Sequence, residues 1–461
     1  MNKEMKFFQR DLLSLGIQNS DKVFKRELYD EFRQINFEEE SSLQDLTSLF
    51  CFSIDGEFTT DRDDVFSFEK NIGENTYSLG IHITNVASFI PPKSLIDIEA
   101  SKRSSSIYSL DENIPMLPKY FTEKFGSLDQ YKIRKCLSVI LKIDNQANIL
   151  SSDIIISKVE NNLALKYEDI ELILNNKGHK LCSIFEQLYS ISVILNNRRL
   201  IFSDLKLNSP SIEVKVLENG KIDLRVDQFS CSRLIVSELM ILYNRIIAEY
   251  CYNSKLPAIY RTQEKIRFMD LDLQNLPSIV KRYRVFKEME PVIFNTNPSP
   301  HFFMGLDRYI QVTSPLRRYF DLIMQRQIIS YKFCNKIIYT LDDLKLMIEE
   351  SELKLKAISK FDKERERFWV IRYFDQILDE LIYNKLDRSF VGVVLESNID
   401  GFALLELEEI PYRFIKSNYY GTRNTTIITI NEKGEYKVSE QNYSENGKKL
   451  EKSSFQFKSQ I

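Results

Sequence analysis

Four aspartates crowd into ten residues of this chain. Asp55, Asp61, Asp63 and Asp64 lie within Ser53-Ile54-Asp55-Gly56-Glu57-Phe58-Thr59-Thr60-Asp61-Arg62-Asp63-Asp64. The stretch follows a strand-like run, Ser48–Ile54, and leads into the apolar Val65–Phe68. Like charges a few ångström apart raise one another's pKa, so such crowding is costly in a fold. Either the loop splays its carboxylates into water, or a cation balances them. An EF-hand calcium loop is excluded, because the sixth position counted from Asp61 is Phe66, where that loop needs glycine. An all-oxygen donor set suits a hard cation such as Mg²⁺ or Mn²⁺. Mg²⁺ keeps waters and shares its shell with phosphate, and carboxylates holding two such ions are a general solution to phosphodiester hydrolysis.

The rest of the composition narrows the alternatives. Six cysteines lie far apart with no CxxC pair, which reads as reduced thiols and excludes both a zinc ribbon and a disulfide framework. Three histidines, His82, His179 and His301, are too few and too scattered for a histidine-centred metal site. A net charge of −3 argues on its face against a nucleic-acid partner. Net charge is a whole-surface average, however, and does not register a basic channel inside an acidic shell. Met1–Arg10 has no apolar h-region, and no apolar run approaches the roughly 18 residues of a membrane span. A cytoplasmic protein with no membrane contact is expected.

Along the chain, residues 1–48 read as a short helical segment. Short β-branched and aromatic runs recur at Tyr77–Val86 and Leu137–Ile143, and helical periodicity takes over at Tyr167–Asn175, Ser183–Arg198 and Ser230–Tyr252. Ser211–Leu217 and Lys221–Val226 flank an Asn219-Gly220 turn, and long helices are expected over Ser314–Phe333 and Leu341–Tyr383. Strand-like runs at Phe390–Glu396, Phe402–Leu407 and Thr425–Ile430 have the rhythm of a small β-barrel over 388–440, and a frayed polar tail is expected over 441–461.

Two further islands stand out. One is Asn113-Ile114-Pro115-Met116-Leu117-Pro118, preceded by Arg103-Ser104-Ser105-Ser106-Ile107-Tyr108. The other runs from Gly305 through Thr313-Ser314-Pro315-Leu316-Arg317-Arg318-Tyr319. Ser314 is expected to N-cap a helix with Pro315 in its first position. Arg317 and Arg318 would then sit in the first turn, where cations oppose the helix dipole. That cost makes sense if an anion docks there; the alternative is an arginine pair in surface salt bridges.

The three islands, in this order and spacing, resemble the catalytic domain of the ribonuclease II (RNB) family over about residues 45–385. The loop matches the family signature of one aspartate followed by Thr-x-Asp-x-Asp-Asp. Leu79-Gly80-Ile81-His82-Ile83 resembles its next strand, and Ile235–Glu249 its central helix. The resemblance implies an α+β fold: a mixed sheet packed with helices over 49–387, followed by a small S1-like OB barrel. It implies a magnesium-dependent, processive 3′→5′ exoribonuclease that hydrolyses single-stranded RNA to nucleoside 5′-monophosphates by a two-metal mechanism, with Mn²⁺ a substitute.

Carried over by position, Asp55, Asp61, Asp63 and Asp64 match the magnesium carboxylates, Asp63 being the one most tied to cleavage. Arg317 matches the arginine that steadies the phosphate, with Arg318 beside it as an RNA contact. Tyr108 and Phe202 match aromatics that stack on bases, and Tyr167 a tyrosine near the scissile phosphate. Four positions depart from the pattern: Arg62 replaces an apolar residue, Asn85 an aspartate, Ser237 an acidic residue, and Ser104 a common glycine. Longer members carry two cold-shock barrels ahead of the catalytic domain, so a minimal form with weaker capture of long RNA is expected. The substitutions also admit a catalytically weakened RNA-binding protein of the same fold, and DNA is a further candidate substrate.

Overall fold

The computed structural model describes residues 43–57, 59–108, 113–200, 211–217, 219–227, 230–264, 273, 276–384, 392–397, 403–407, 410, 412–415, 424–430, 435–443 and 449–458. The N-terminal helical segment and Phe202 lie outside these residues, except that 43–48 include a short strand.

The elements begin with β1 (Gln44–Asp45), β2 (Cys51–Asp55), β3 (Asp64–Lys70), β4 (Thr76–Thr84) and α1 (Leu95–Arg103). Then come β5 (Ile133–Asp144), β6 (Ile149–Lys166), α2 (Tyr167–Asn175), α3 (Cys182–Arg199), β7 (Ser211–Val216), β8 (Ile222–Asp227) and α4 (Cys231–Asn253). The middle holds β9 (Tyr260–Thr262), α5 (Ser278–Lys287), β10 (Ile293–Asn295), α6 (Tyr319–Cys334) and α7 (Leu341–Asn384). Six strands follow: β11 (Gly392–Ser397), β12 (Ala403–Leu407), β13 (Arg413–Ile415), β14 (Asn424–Ile430), β15 (Glu435–Tyr443) and β16 (Lys449–Lys458). Among the described residues no helix is long and apolar enough to cross a membrane.

The chain divides into two compact units that do not follow chain order. One is drawn from 1–201, 230–265 and 290–362, the other from 202–229, 266–289 and 363–461. In the first, the strands run β1-β6-β2-β3-β4-β5, and β5 pairs again with β6, so the sheet closes on itself. Closure depends on the length of β6, a strand the sequence reading missed. Its first part pairs antiparallel with β5 (Ile149 to Glu160), and its last part pairs parallel with β2 (Asn161 to Lys166). The sheet is therefore mixed.

Alternation along β2 to β5 turns Phe52, Phe66, Leu79, Ile81, Leu137 and Val139 into the core. Helix α4 packs there through Ile235, Leu239, Tyr243 and Ile247, and the Tyr243 hydroxyl donates to the Leu137 carbonyl at 2.9 Å. Its N-cap is Ser230, whose side chain accepts from the Arg233 N–H. Burying each of these apolar side chains contributes roughly 1.5–3 kcal/mol.

In the second unit, the β7–β8 hairpin turns through Gly220 at φ +78°, and Ile222 exchanges two hydrogen bonds with the Gln376 side chain. Val280 and Tyr283 of α5 pack with Val393 and Leu395. The C-terminal strands form two antiparallel three-stranded sheets, β11-β12-β13 and β14-β15-β16, with no ladder between them among the described residues. Part of the barrel expected over 388–440 lies outside the described residues; those described fall in these two sheets. The expected polar tail is in part the strand β16, which pairs with β15 from Glu435↔Lys458 to Tyr443↔Lys449.

Candidate active site

The aspartate loop joins β2 to β3 at one end of the closed sheet. Asp55 is the last residue of β2, in register with Lys166 of β6, and Asp64 is the first of β3, in register with Ile83 of β4. Backbone pairing holds the loop from below, since Thr84 N–H donates to the Asp63 carbonyl at 2.9 Å.

Asp63 is 5% exposed. Its Oδ1 accepts the Leu316 N–H at 3.0 Å, and Oδ2 lies 3.6 Å from Arg317 Nε. Burial pushes its pKa up to about 7, against the opposing pull of Arg317 and the Leu316 N–H. Burial also raises the other three. Asp64 is driven well up by burial and then by Asp55 and Asp63. Asp61 is raised although hydrogen bonds from Thr122 and Tyr108 oppose the shift, and Asp55 although Arg62 opposes it. Four carboxylates whose ionisation is made harder by burial share one end of a sheet, an arrangement that added positive charge would relieve.

The second wall is the segment after β10. Asn244 of α4 positions it, donating to the Tyr309 hydroxyl at 3.0 Å and accepting the Val312 N–H at 3.0 Å. Gly305 is required at its start: φ is +63°, and a Cβ there would lie 1.6 Å from the Arg199 carbonyl oxygen. The expected helix start at Ser314 is corrected. Residues Ser314 to Arg317 form a turn, and α6 begins at Tyr319 with Arg318 as N-cap. The cause is Asp321, whose buried carboxylate accepts the Ser314 N–H at 2.8 Å and Arg318 Nη2 at 2.6 Å. This folds the segment back before the helix starts.

The two arginines consequently have different surroundings. Arg318 is committed to Asp321 and to Thr313 Oγ1, so its guanidinium serves the loop first. Arg317 is held by its backbone, its carbonyl accepting the Ser106 N–H at 2.9 Å and the Ser105 hydroxyl at 3.0 Å. Its side chain stays 43% exposed beside Asp63. The Ser105 turn starts at Ser104, which has φ +61° at the end of α1, explaining why glycine suits that position.

Tyr108 is 39% exposed, and its hydroxyl is 3.5 Å from Asp61 Oδ2, so the fold brings this ring beside the aspartate loop. Tyr167 begins α2 directly after Lys166, the partner of Asp55, with the Arg233 guanidinium 4.4 Å from its ring centroid. Asn85 is fully buried and caps a short helix, accepting the Ser88 N–H at 3.1 Å, while Ser237 Oγ donates to the Leu234 carbonyl on its own helix.

The sequence reading missed Asp129. Arg62 Nη1 lies 3.0 Å from Asp129 Oδ1, and Arg62 Nε lies 3.2 Å from Asp55 Oδ2. The loop before β5 grips Arg62 through its backbone as well: Arg62 N–H donates to Ser127 Oγ, and Leu128 N–H to the Arg62 carbonyl. No local pattern marks an acid in Gly126-Ser127-Leu128-Asp129; only folding brings it to the cluster.

The closed mixed sheet, the aspartate loop with its buried Asp63 and the adjoining arginine turn define one class of protein, and the family model for the RNB domain matches residues 43–333. The chain belongs to the RNB-domain family. An uncharacterized ribonuclease of Synechocystis is 26% identical over 380 residues, covering 80% of this chain and 55% of that protein. The chain thus spans about half the length of that relative. Among solved structures, Mycoplasma genitalium RNase R in complex with ribose-methylated single-stranded RNA superposes with a TM-score of 0.74 at 17% identity, covering 98% of this chain and 76% of that one. Yeast Ssd1, described as a pseudonuclease, superposes with a TM-score of 0.72 at 17% identity, covering 95% and 58%.

Proposed function

We propose that this chain is a divalent-metal-dependent exoribonuclease that degrades single-stranded RNA processively from its 3′ end to nucleoside 5′-monophosphates. The observation that carries the reading is one loop that sets a buried Asp63 and the half-buried Asp55, Asp61 and Asp64 beside the partly exposed fork of Arg317. Such a site resists anions until positive charge is present, and it offers a guanidinium to a phosphate.

The donor set fits Mg²⁺ or Mn²⁺. All four ligand candidates are carboxylates, and Asp55 Oδ2 is buried without completing a hydrogen bond. Among the described residues no three such groups already converge into a cage. Mg²⁺ does not require one, since it keeps waters and takes substrate phosphate oxygens. When bound, the cation supplies the charge that activates water and steadies the departing oxygen.

The chain's own groups do the rest. The Leu316 N–H fixes one oxygen of Asp63 and so orients the carboxylate. Arg317 grasps non-bridging oxygens of the scissile phosphate with a planar fork, stabilising charge as it develops. Tyr108 presents an exposed ring for a base to stack on, and Tyr167 lies near the phosphate. The RNA in the Mycoplasma genitalium complex supports the choice of substrate.

A 3′-tailed, 5′-labelled RNA incubated with Mg²⁺ and with EDTA tests this directly. A ladder of products shortening from the 3′ end, absent in EDTA and absent with the matched DNA, is expected. Retention of RNA without any shortening would favour the second reading, a weakened RNA-binding protein, which the contact of Arg62 with Asp55 supports.

A further inference from the structure

Arg62 is the one residue between two site aspartates that carries a positive charge, and its side chain is placed between two acids. The guanidinium is 3.2 Å from Asp55 on one side and 3.0 Å from Asp129 on the other. The two contacts differ in kind. Nη1 makes a hydrogen bond with Asp129 Oδ1, whereas Nε and Asp55 Oδ2, both buried, complete no hydrogen bond with anything. The Asp129 end is also braced, because Ser127 Oγ donates to the same Oδ1 at 2.9 Å and accepts the Arg62 N–H. Arg62 is therefore anchored on Asp129 and only leans on Asp55.

We propose that Arg62 is an internal counter-cation that competes with a divalent cation for Asp55, and that Asp129 is the seat retaining the guanidinium when the cation takes that carboxylate. The inference rests on the metal-site reading above. A fixed charge beside Asp55 offsets part of the cost of burying it in the cation-free protein. The same charge repels an incoming divalent ion and occupies one of its donors. The weaker geometry toward Asp55 lets that contact break without releasing Arg62 from the loop. Arg62 is thus a positioning residue that sets how much free metal the site requires.

The test is a Mn²⁺-binding isotherm on the full chain, without RNA, for wild type, Arg62→Leu, Arg62→Lys, Asp129→Asn and Asp63→Asn. Arg62→Leu removes the competitor and should tighten Mn²⁺ binding on the order of tenfold, within the usual range of coupling between neighbouring sites. Arg62→Lys keeps the charge and should stay near wild type. Asp129→Asn leaves the guanidinium with Asp55 alone and should weaken binding severalfold. Melting temperatures in EDTA identify any variant that has not folded; if Arg62→Leu has not, Asp129→Asn decides by itself. Unchanged or weaker binding in a folded Arg62→Leu protein, or unchanged or tighter binding in Asp129→Asn, overturns the proposal and leaves Arg62 a structural latch. A wild type without Mn²⁺ binding that Asp63→Asn removes would sink the metal-site reading itself, a result separate from either.

Discussion

The backbone N–H of Leu316 donates to Asp63 Oδ1 at 3.0 Å, joining two segments 253 residues apart at the centre of the site. The same turn sets Arg317 Nε 3.6 Å from the other oxygen of that carboxylate. One residue pair thus fixes both the orientation of the buried acid and the position of the cation beside it.

Asp63→Asn keeps the size of the side chain and an oxygen for the Leu316 N–H, but removes the charge. RNA cleavage should fall below detection while RNA binding persists, measured by product ladder and by gel retardation. A variant that degrades RNA at near wild-type rate places the chemistry elsewhere.

The metal-free protein should lose stability as pH rises. Asp63 has a folded-state pKa of about 7, above the roughly 3.9 of an unfolded aspartate. Between those values the folded state binds more protons than the unfolded one, so stability is full below the lower value and declines through the upper. Thermal melts in EDTA from about pH 5 to pH 8 should show a falling melting temperature. Asp63→Asn should flatten part of that fall, and Mg²⁺ should do the same. A wild-type melting temperature that rises over this range contradicts the electrostatic account.

Arg317→Lys should be nearly as damaging as Arg317→Ala, each lowering kcat by about a hundredfold or more, as loss of a transition-state donor does. Lysine supplies charge without the planar fork that binds two phosphate oxygens. Single-turnover rates on one oligonucleotide settle the point, and full activity in the lysine variant would reduce Arg317 to a partner of Asp63.

Tyr108→Ala should lengthen the shortest product while initial rates on long RNA fall only modestly. A base–aromatic stack is worth roughly 1–3 kcal/mol, a small share of what holds a long strand and a large share for a remnant. Unchanged product length in the folded variant would show that no base stacks there.

Ser104→Gly should stabilise the protein by about 0.5–1 kcal/mol, because φ +61° suits glycine. The gain is limited by loss of the Ser104 hydroxyl bond to the Ser101 carbonyl. A urea melt measures it, and a destabilised variant would show that the hydroxyl outweighs the backbone strain.

Local sequence determined what local physics can determine. The apolar period of Tyr167–Asn175 set the bounds of α2, the helical run Ser230–Tyr252 marked α4, and alternation marked β2, β4 and β5. The aspartates were legible because all four lie in one ten-residue loop whose crowding is anomalous in itself. The tertiary structure alone decided which partner each charge meets. Local sequence put Arg317 and Arg318 together in one helical turn, whereas Asp321 holds Arg318 and delays α6 to Tyr319. Asp129 carried no signal until folding brought it across 67 residues to Arg62. Strand β6 closes the sheet only because β2 and β5 both reach it. Contacts between distant segments leave no periodicity behind, since each depends on where a whole element is packed and not on its neighbours in the chain.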